Sequence, residues 1–147
     1  MTTVVADRTG MASDSQITDD STVGNVCKVW RVRGWLVGGG GTYTEVVTLV
    51  NMLRLSKKSP VEALAASDLS TEDADLMLLS PAGMLYYSEN GWPAMLMKGG
   101  RAALGTGAQG ALTALALGCT PAEAVRAVKK VDPSTGGRVI FKARKLK

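Results

Sequence analysis

Along most of this chain, short runs of apolar residues alternate with turns marked by glycine, proline or a charged pair. TTVVAD and GMASDS flank RTG, which predicts a tight hairpin with strands at 2–7 and 10–14. NVCKVWRV alternates apolar and polar residues, turns at RG, and continues into WLVGGGG, a second hairpin that ends in four glycines. The period then changes. In TYTEVVTLVNMLRLSKK the apolar residues at 43, 46, 47, 50 and 53 keep helical spacing and predict a helix over 42–57. SPVE reads as a capping box with proline at the first helical position, opening a short helix through Ala66. ADLMLLS, GMLYYSE and PAMLMK read as strands, separated by PAG and ENGW turns, and AALG as one more. GAQGALTALALG is helical, and TPAE opens a further helix to about Val131, so 107–131 carries two helices. DPSTGG breaks the pattern, and RVIFKARK is the last strand.

Strands and helices therefore come in segregated runs, which argues for an α+β fold of antiparallel sheets with helices stacked outside. No repeat, linker or low-complexity segment divides residues 1–147, so a single domain is expected. One motif points elsewhere. Gly105, Gly107 and Gly110 spell the dinucleotide fingerprint between a strand and a helix. That fingerprint needs further parallel strands downstream, and the residues left hold one helix, a turn and one strand, so it is set aside.

Composition narrows the function. The chain has 147 residues, 46% hydrophobic and 20% charged, enough for a core of its own. Aromatics are only 5%, so that core rests on Val, Leu, Met and Ala. The net charge of +4 owes much to the tail RVIFKARKLK, which reads as a solvated edge strand. No basic stretch is interleaved with stacking aromatics, so no nucleic-acid partner is expected. MTTVVADR lacks the features of a signal peptide, and no apolar run is long enough to span a membrane. The expectation is a cytoplasmic protein without a membrane partner. Cys27 and Cys119 form no metal or disulfide pattern. There is no histidine, which excludes Ser-His-Asp and Cys-His catalysis and histidine metal sites. No metal and no cofactor is expected.

A hydrolase without histidine needs another base. An N-terminal threonine can supply its own α-amine, which titrates at about 7.7–8.0. Thr2 fits that role once Met1 is removed, since it starts a β-prone run. Lys28 shares a strand face with Val26, Trp30 and Val32, an unusual place for a cation. Such a lysine either snorkels or sits buried and lowers the pKa of a neighbouring hydroxyl and amine. A buried lysine needs a carboxylate, and Asp14 stands on the neighbouring hairpin. Gly38 to Gly41 form either a flexible turn or a strand end whose N–H groups face a substrate oxygen.

These residues carry a resemblance. Thr2-Thr3 at the start, DSQIT at 14–18, GNVCKV at 24–29, LVGGGG, GTG at 105–107 and the Asp132-to-Gly137 turn follow one another in order. Together they resemble the N-terminal-threonine (Ntn) hydrolases of the proteasome β-subunit type, and within it the peptidase subunit of the bacterial two-component heat-shock protease. The resemblance implies a four-layer αββα sandwich and a threonine endopeptidase. It implies Thr2 as nucleophile and base, Lys28 lowering the pKa, and Asp14 orienting Lys28. The Gly38 N–H, or that of Gly39, would form the oxyanion hole. Thr106, Asp132 and Thr135 would support the α-amine. Thr18 and Gly40 would pair with an extended substrate backbone. Val26 and Trp30 would line the first specificity pocket, suggesting an apolar residue there. The implied partners are a peptide or unfolded-protein substrate, further copies of the chain in a homo-oligomeric ring, and an ATP-dependent unfoldase.

The sequence departs from the family pattern in places. Threonine replaces serine at 106 and at 135, and the second helix is cut to about PVEALAAS. Two other readings stay open: a catalytically silent structural or assembly protein on the same fold, favoured if Met1 is retained, and a small-molecule amidohydrolase.

Overall fold

A computed structural model describes residues 2–18 and 23–145. The elements in chain order are β1 (Thr3–Asp7), β2 (Gly10–Ser13), β3 (Gln16–Thr18), β4 (Val23–Asn25), β5 (Val29–Val32), β6 (Trp35–Gly41), α1 (Tyr43–Leu55), α2 (Pro60–Ala66), β7 (Ala74–Leu79), β8 (Leu85–Glu89), β9 (Met95–Met97), β10 (Arg101–Gly105), α3 (Ala108–Ala116), α4 (Pro121–Lys129) and β11 (Ile140–Ala143).

The strands pair into a four-stranded sheet, β10-β1-β2-β11, a five-stranded sheet, β5-β6-β7-β8-β9, and the small β3-β4 ribbon. Every recorded pairing is antiparallel. The first predicted hairpin is present, with Val4 opposite Ser13 and Asp7 opposite Gly10. The second closes at Arg33 and Gly34, with φ of 48° and 81°, the paired positive values of a hairpin turn whose twist suits its strands. The run NVCKVWRV, read as one strand, is divided instead: β4 ends at Asn25 and β5 begins at Val29. The intervening residues turn from the small ribbon into the large sheet, where Val26 N–H donates to the Ser15 carbonyl at 2.7 Å.

Apolar burial falls into three groups. Val46, Leu49, Val50 and Leu53 of α1 and Leu64 of α2 pack on Trp30, Val37, Leu76 and Leu78 of the five-stranded sheet. The other face of that sheet, with Val29, Leu36, Met77 and Leu79, meets Val4, Ala6, Met11 and Leu104 of the four-stranded sheet. The far face of the four-stranded sheet, with Val5 and Ala12, is covered by Ala111 and Leu115 of α3 and Val125 and Val128 of α4. Central strands thus bury both faces, which is why TTVVA and DLMLL read as nearly unbroken apolar runs.

The helix ends follow their sequence signals. Thr120 and Glu123 form a complete capping box at α4 behind Pro121. At α2 the box is half made: Ser59 accepts from the Glu62 N–H, but the Glu62 carboxylate takes the Ser59 hydroxyl rather than its backbone N–H. The dinucleotide motif is structural. Gly107 sits against Thr3 and Val128 between β10 and α3, and β10 pairs antiparallel with β1. Among the described residues no helix is long and apolar enough to cross a membrane.

Candidate active site

The start of β1 is the point on which the polar residues converge. Thr2 and Thr3 are buried, and their backbone is held on two sides: Thr106 N–H donates to the Thr2 carbonyl at 3.0 Å, and Asp14 N–H to the Thr3 carbonyl at 3.2 Å. Asp14 follows β2, so the first hairpin delivers its carboxylate back to its own first residues. Asp14 is fully enclosed, and among the described residues its carboxylate takes its hydrogen bonds from an ammonium and from amides. Its Oδ1 accepts from Lys28 Nζ at 2.9 Å and from Thr3 N–H at 3.1 Å, and its Oδ2 from Gly136 N–H at 3.1 Å.

Lys28 is only 3% exposed. Its ammonium also donates to the Gln16 carbonyl at 2.6 Å. Burial pulls its pKa below the ordinary lysine value, and the hydrogen bond and charge of Asp14 oppose that pull. Lys28 lies in the turn just before β5 rather than on its alternating face, yet it is buried and paired with Asp14, as expected.

A second carboxylate lies on the other side of Thr3. Asp132 Oδ2 accepts from the hydroxyls of Thr106 at 2.7 Å and Thr135 at 2.8 Å, and Oδ1 from Ser134 N–H at 2.9 Å. The Thr106 bond foremost, then those of Ser134 and Thr135, hold its carboxyl below the usual range against the opposing effect of burial. Thr135 has one proton and gives it to Asp132. In its 2.7 Å contact with Thr3 Oγ1 it must therefore accept, which makes the Thr3 hydroxyl the donor. Thr3 belongs to this cluster although sequence reasoning assigned it no role; its position beside Thr2 was the available signal.

A cleft of about 390 Å³ opens beside these groups, lined by Thr2, Lys28, Gly39, Gly41, Tyr43, Val46 and Asp73, with Gln16, Ile17, Thr42 and Thr44 at its sides. Its glycine wall departs from the expectation. Gly39 N–H donates to the Lys28 carbonyl at 3.1 Å. Gly38 stands opposite Met77, and ladder alternation turns its N–H toward β7. A Cβ on Gly38 would stand 2.6 Å from Met11 and from Val4, inside the core between the sheets. Neither of the two predicted oxyanion donors is free. The same alternation turns the Gly41 N–H away from β7, and Gly41 lines the cleft. Its φ of +107° suits glycine, and a Cβ there would collide with the Asp73 carbonyl.

The remaining predicted substrate contacts are also rearranged. Gly40 lies beside Thr2, a Cβ on it falling 3.7 Å from Thr2 Cβ, but its own backbone faces Asp75 in the ladder. Trp30 is buried under α1, its ring centroid 6.4 Å from that of Tyr43, and Val26 is half-buried; neither lines the cleft. Tyr43 stands in front of Trp30, with its hydroxyl donating to the Cys27 carbonyl at 3.2 Å. Burial, and secondarily Cys27, raise the Tyr43 pKa. The backbone of Thr18 pairs with Val23 in the ribbon, and its side chain lies outside the described residues, as does Met1.

Neither family models nor curated protein sequences yield a match to this chain. Solved structures do. BPH of Thiobacillus denitrificans aligns with a TM-score of 0.77 at 17% identity, covering 99% of this chain and 98% of that one. The same protein in complex with epoxomicin gives 0.76 at 17%, covering 99% of both chains. Eukaryotic HslV from Trypanosoma brucei gives 0.74 at 18%, covering 96% of this chain and 98% of its own. At such identities the likeness is one of fold, and it extends over the whole chain. The chain has the fold of BPH and HslV, and at the level of fold the resemblance to the proteasome β-subunit type is borne out.

Proposed function

We propose that this chain is an N-terminal-threonine peptidase, active once Met1 is removed, on a four-layer αββα sandwich. The observation that carries the reading is the enclosed Lys28–Asp14 pair beside a cleft walled by Thr2 and Gly41. A buried ion pair is weak evidence for stability alone, since desolvation offsets much of its attraction. Beside a terminal threonine it has chemical use. The Lys28 charge favours the neutral amine and the ionised hydroxyl of Thr2. The helix–sheet–sheet–helix order of the three apolar clusters supports the layered reading.

In the reaction, the Thr2 hydroxyl passes its proton to its own α-amine and attacks the peptide carbonyl. The Gly41 N–H meets the resulting oxyanion, taking the role first assigned to Gly38. The amine returns the proton to the leaving nitrogen, and water then resolves the acyl-enzyme. Thr106 and Thr135 spend their protons on Asp132, so they offer the amine lone pairs and leave its own lone pair for the hydroxyl. Copies of the chain would assemble into a homo-oligomeric ring. Val46, Leu49, Val50 and Leu53 of α1 are covered within the chain and do not supply the ring surface, whereas Leu55 at its end is exposed and can. Leu117 and Val131 beside α3 and α4, and Trp92 and Met95 near β9, remain exposed and would.

A peptide epoxyketone tests the chemistry, because ring closure needs both the hydroxyl and the free amine of one threonine. Protein with a free Thr2 should gain one inhibitor mass, and Thr2→Ala should gain none while keeping fold and assembly. No adduct on a free Thr2 would leave a structural protein. A monomer by light scattering at micromolar concentration would remove the ring.

A further inference from the structure

The cleft has a feature that the reaction does not use. Asp73, just before β7, lines it beside Gly41. Its placement is fixed from several sides. Thr42 N–H donates to the Asp73 carbonyl at 2.7 Å, and Thr42 Oγ1 to Asp73 Oδ2 at 3.0 Å. Glu45, in the first turn of α1, accepts the backbone N–H groups of Glu72 and Asp73 at 2.7 and 3.1 Å. Asp73 Oδ1 has no hydrogen-bond donor among the described residues, and no cation there pairs with Asp73 or Glu45. Lys28, the other charged residue of the wall, is paired with Asp14. The cleft therefore presents one carboxylate, Asp73, with an oxygen that takes no donor among the described residues, while its one cation is spent on Asp14.

The rest of the wall suits the stem of a long cation. Val46 and Ile17 offer apolar surface for methylene groups. The half-buried Tyr43 lines the same cleft, an aromatic neighbour of the kind an ammonium or guanidinium packs against. We propose that the cleft takes a lysine or arginine side chain on the acyl side of the scissile bond, with Asp73 as the residue that selects it. The inference rests on the peptidase reading and names the substrate class of that site. The assignment to the acyl side follows from position: Asp73 neighbours Gly41, whose N–H meets the carbonyl under attack. An apolar preference, expected from Val26 and Trp30, loses its basis because neither residue lines the cleft.

The test uses the Met1-free assembled protein and three fluorogenic peptides that differ only in carrying Arg, Leu or Glu before the reporter. The Arg peptide should exceed the Leu peptide in kcat/KM by about tenfold or more, the scale of one charge-assisted hydrogen bond, and the Glu peptide should be poorest. Asp73→Asn keeps an oxygen for the Thr42 hydroxyl and should collapse the Arg-to-Leu ratio toward one. Equal turnover of Arg and Leu peptides, or an Arg preference that survives in Asp73→Asn, overturns the assignment and leaves the peptidase standing. An epoxyketone adduct without turnover of any of the three also overturns it. Absence of both turnover and adduct overturns the peptidase reading, and this inference falls with it.

Discussion

Two aspartates flank the first residues of β1, and they are held in opposite ways. Asp14 is enclosed and faces a cation, with amide N–H groups completing its shell. Asp132 is half-buried and faces neutral donors, two of them threonine hydroxyls. The first arrangement fixes a charge where water cannot compensate its loss. The second keeps a charge that water can still reach, and uses it to orient protons. One residue type thus does two jobs because burial decides how far a partner's removal is felt.

The largest effect should come from breaking the enclosed pair. Lys28→Met leaves the Asp14 carboxylate buried against amides alone, and urea unfolding should show a loss of roughly 3–5 kcal/mol. Combining it with Asp14→Asn removes both charges and should cost clearly less than the two single losses summed. Additive losses would show that the two groups do not act as a pair.

At Asp132 the loss should be smaller. Asp132→Asn gives up charge-assisted bonds at a site that solvent reaches, and about 1–2 kcal/mol is expected by the same measurement. A loss as large as that of Lys28→Met would erase the contrast. Thr3→Val removes one neutral hydrogen bond at nearly constant volume and should cost about 1 kcal/mol.

The pH dependence separates the two sites by window, since both lowered pKa values make stability rise with pH, one in acid and the other in alkali. The Asp132 pKa is depressed in the fold. Its contribution is therefore present above the unfolded value near 3.9 and is lost as pH falls through the folded value. Asp132→Asn should flatten that acid limb. The Lys28 pKa is also lowered, from 10.5. Between the lowered value and 10.5 the unfolded chain binds more protons, so stability should rise with pH across that window. The double variant at 14 and 28 should lack the rise.

Much of this site could be read from local pattern. Lys28 stood out because strand alternation put a cation among apolar neighbours, and Asp14 because a tight hairpin returns the chain to its own start. The Asp132-to-Gly137 turn and GTG were legible through the resemblance, and the structure brings Asp132, Thr106 and Thr135 together. The glycine run was not legible in the same way. Four identical residues carry no mark of which N–H is spent in the sheet, and only pairing with Lys28 on one side and β7 on the other shows that those of Gly38 and Gly39 are spent while that of Gly41 turns away from β7. Trp30 misled for a related reason. Alternation gives a residue's face correctly but not what covers it, and α1 covers this one.

By itself the sequence determined the local elements: the hairpins, the helical stripe of α1, the proline-started caps, and the pairing of one buried cation with one carboxylate. Periodicity, turn chemistry and the cost of an unpaired charge act over a few residues or demand one specific partner. Only the tertiary structure decided which glycine N–H groups are spent in the sheet and that Asp73, Tyr43 and Val46 line the cleft. Those outcomes depend on strand register and on helix-to-sheet packing. Both are set by contacts between segments far apart in the chain, where no local pattern distinguishes one alignment from the next.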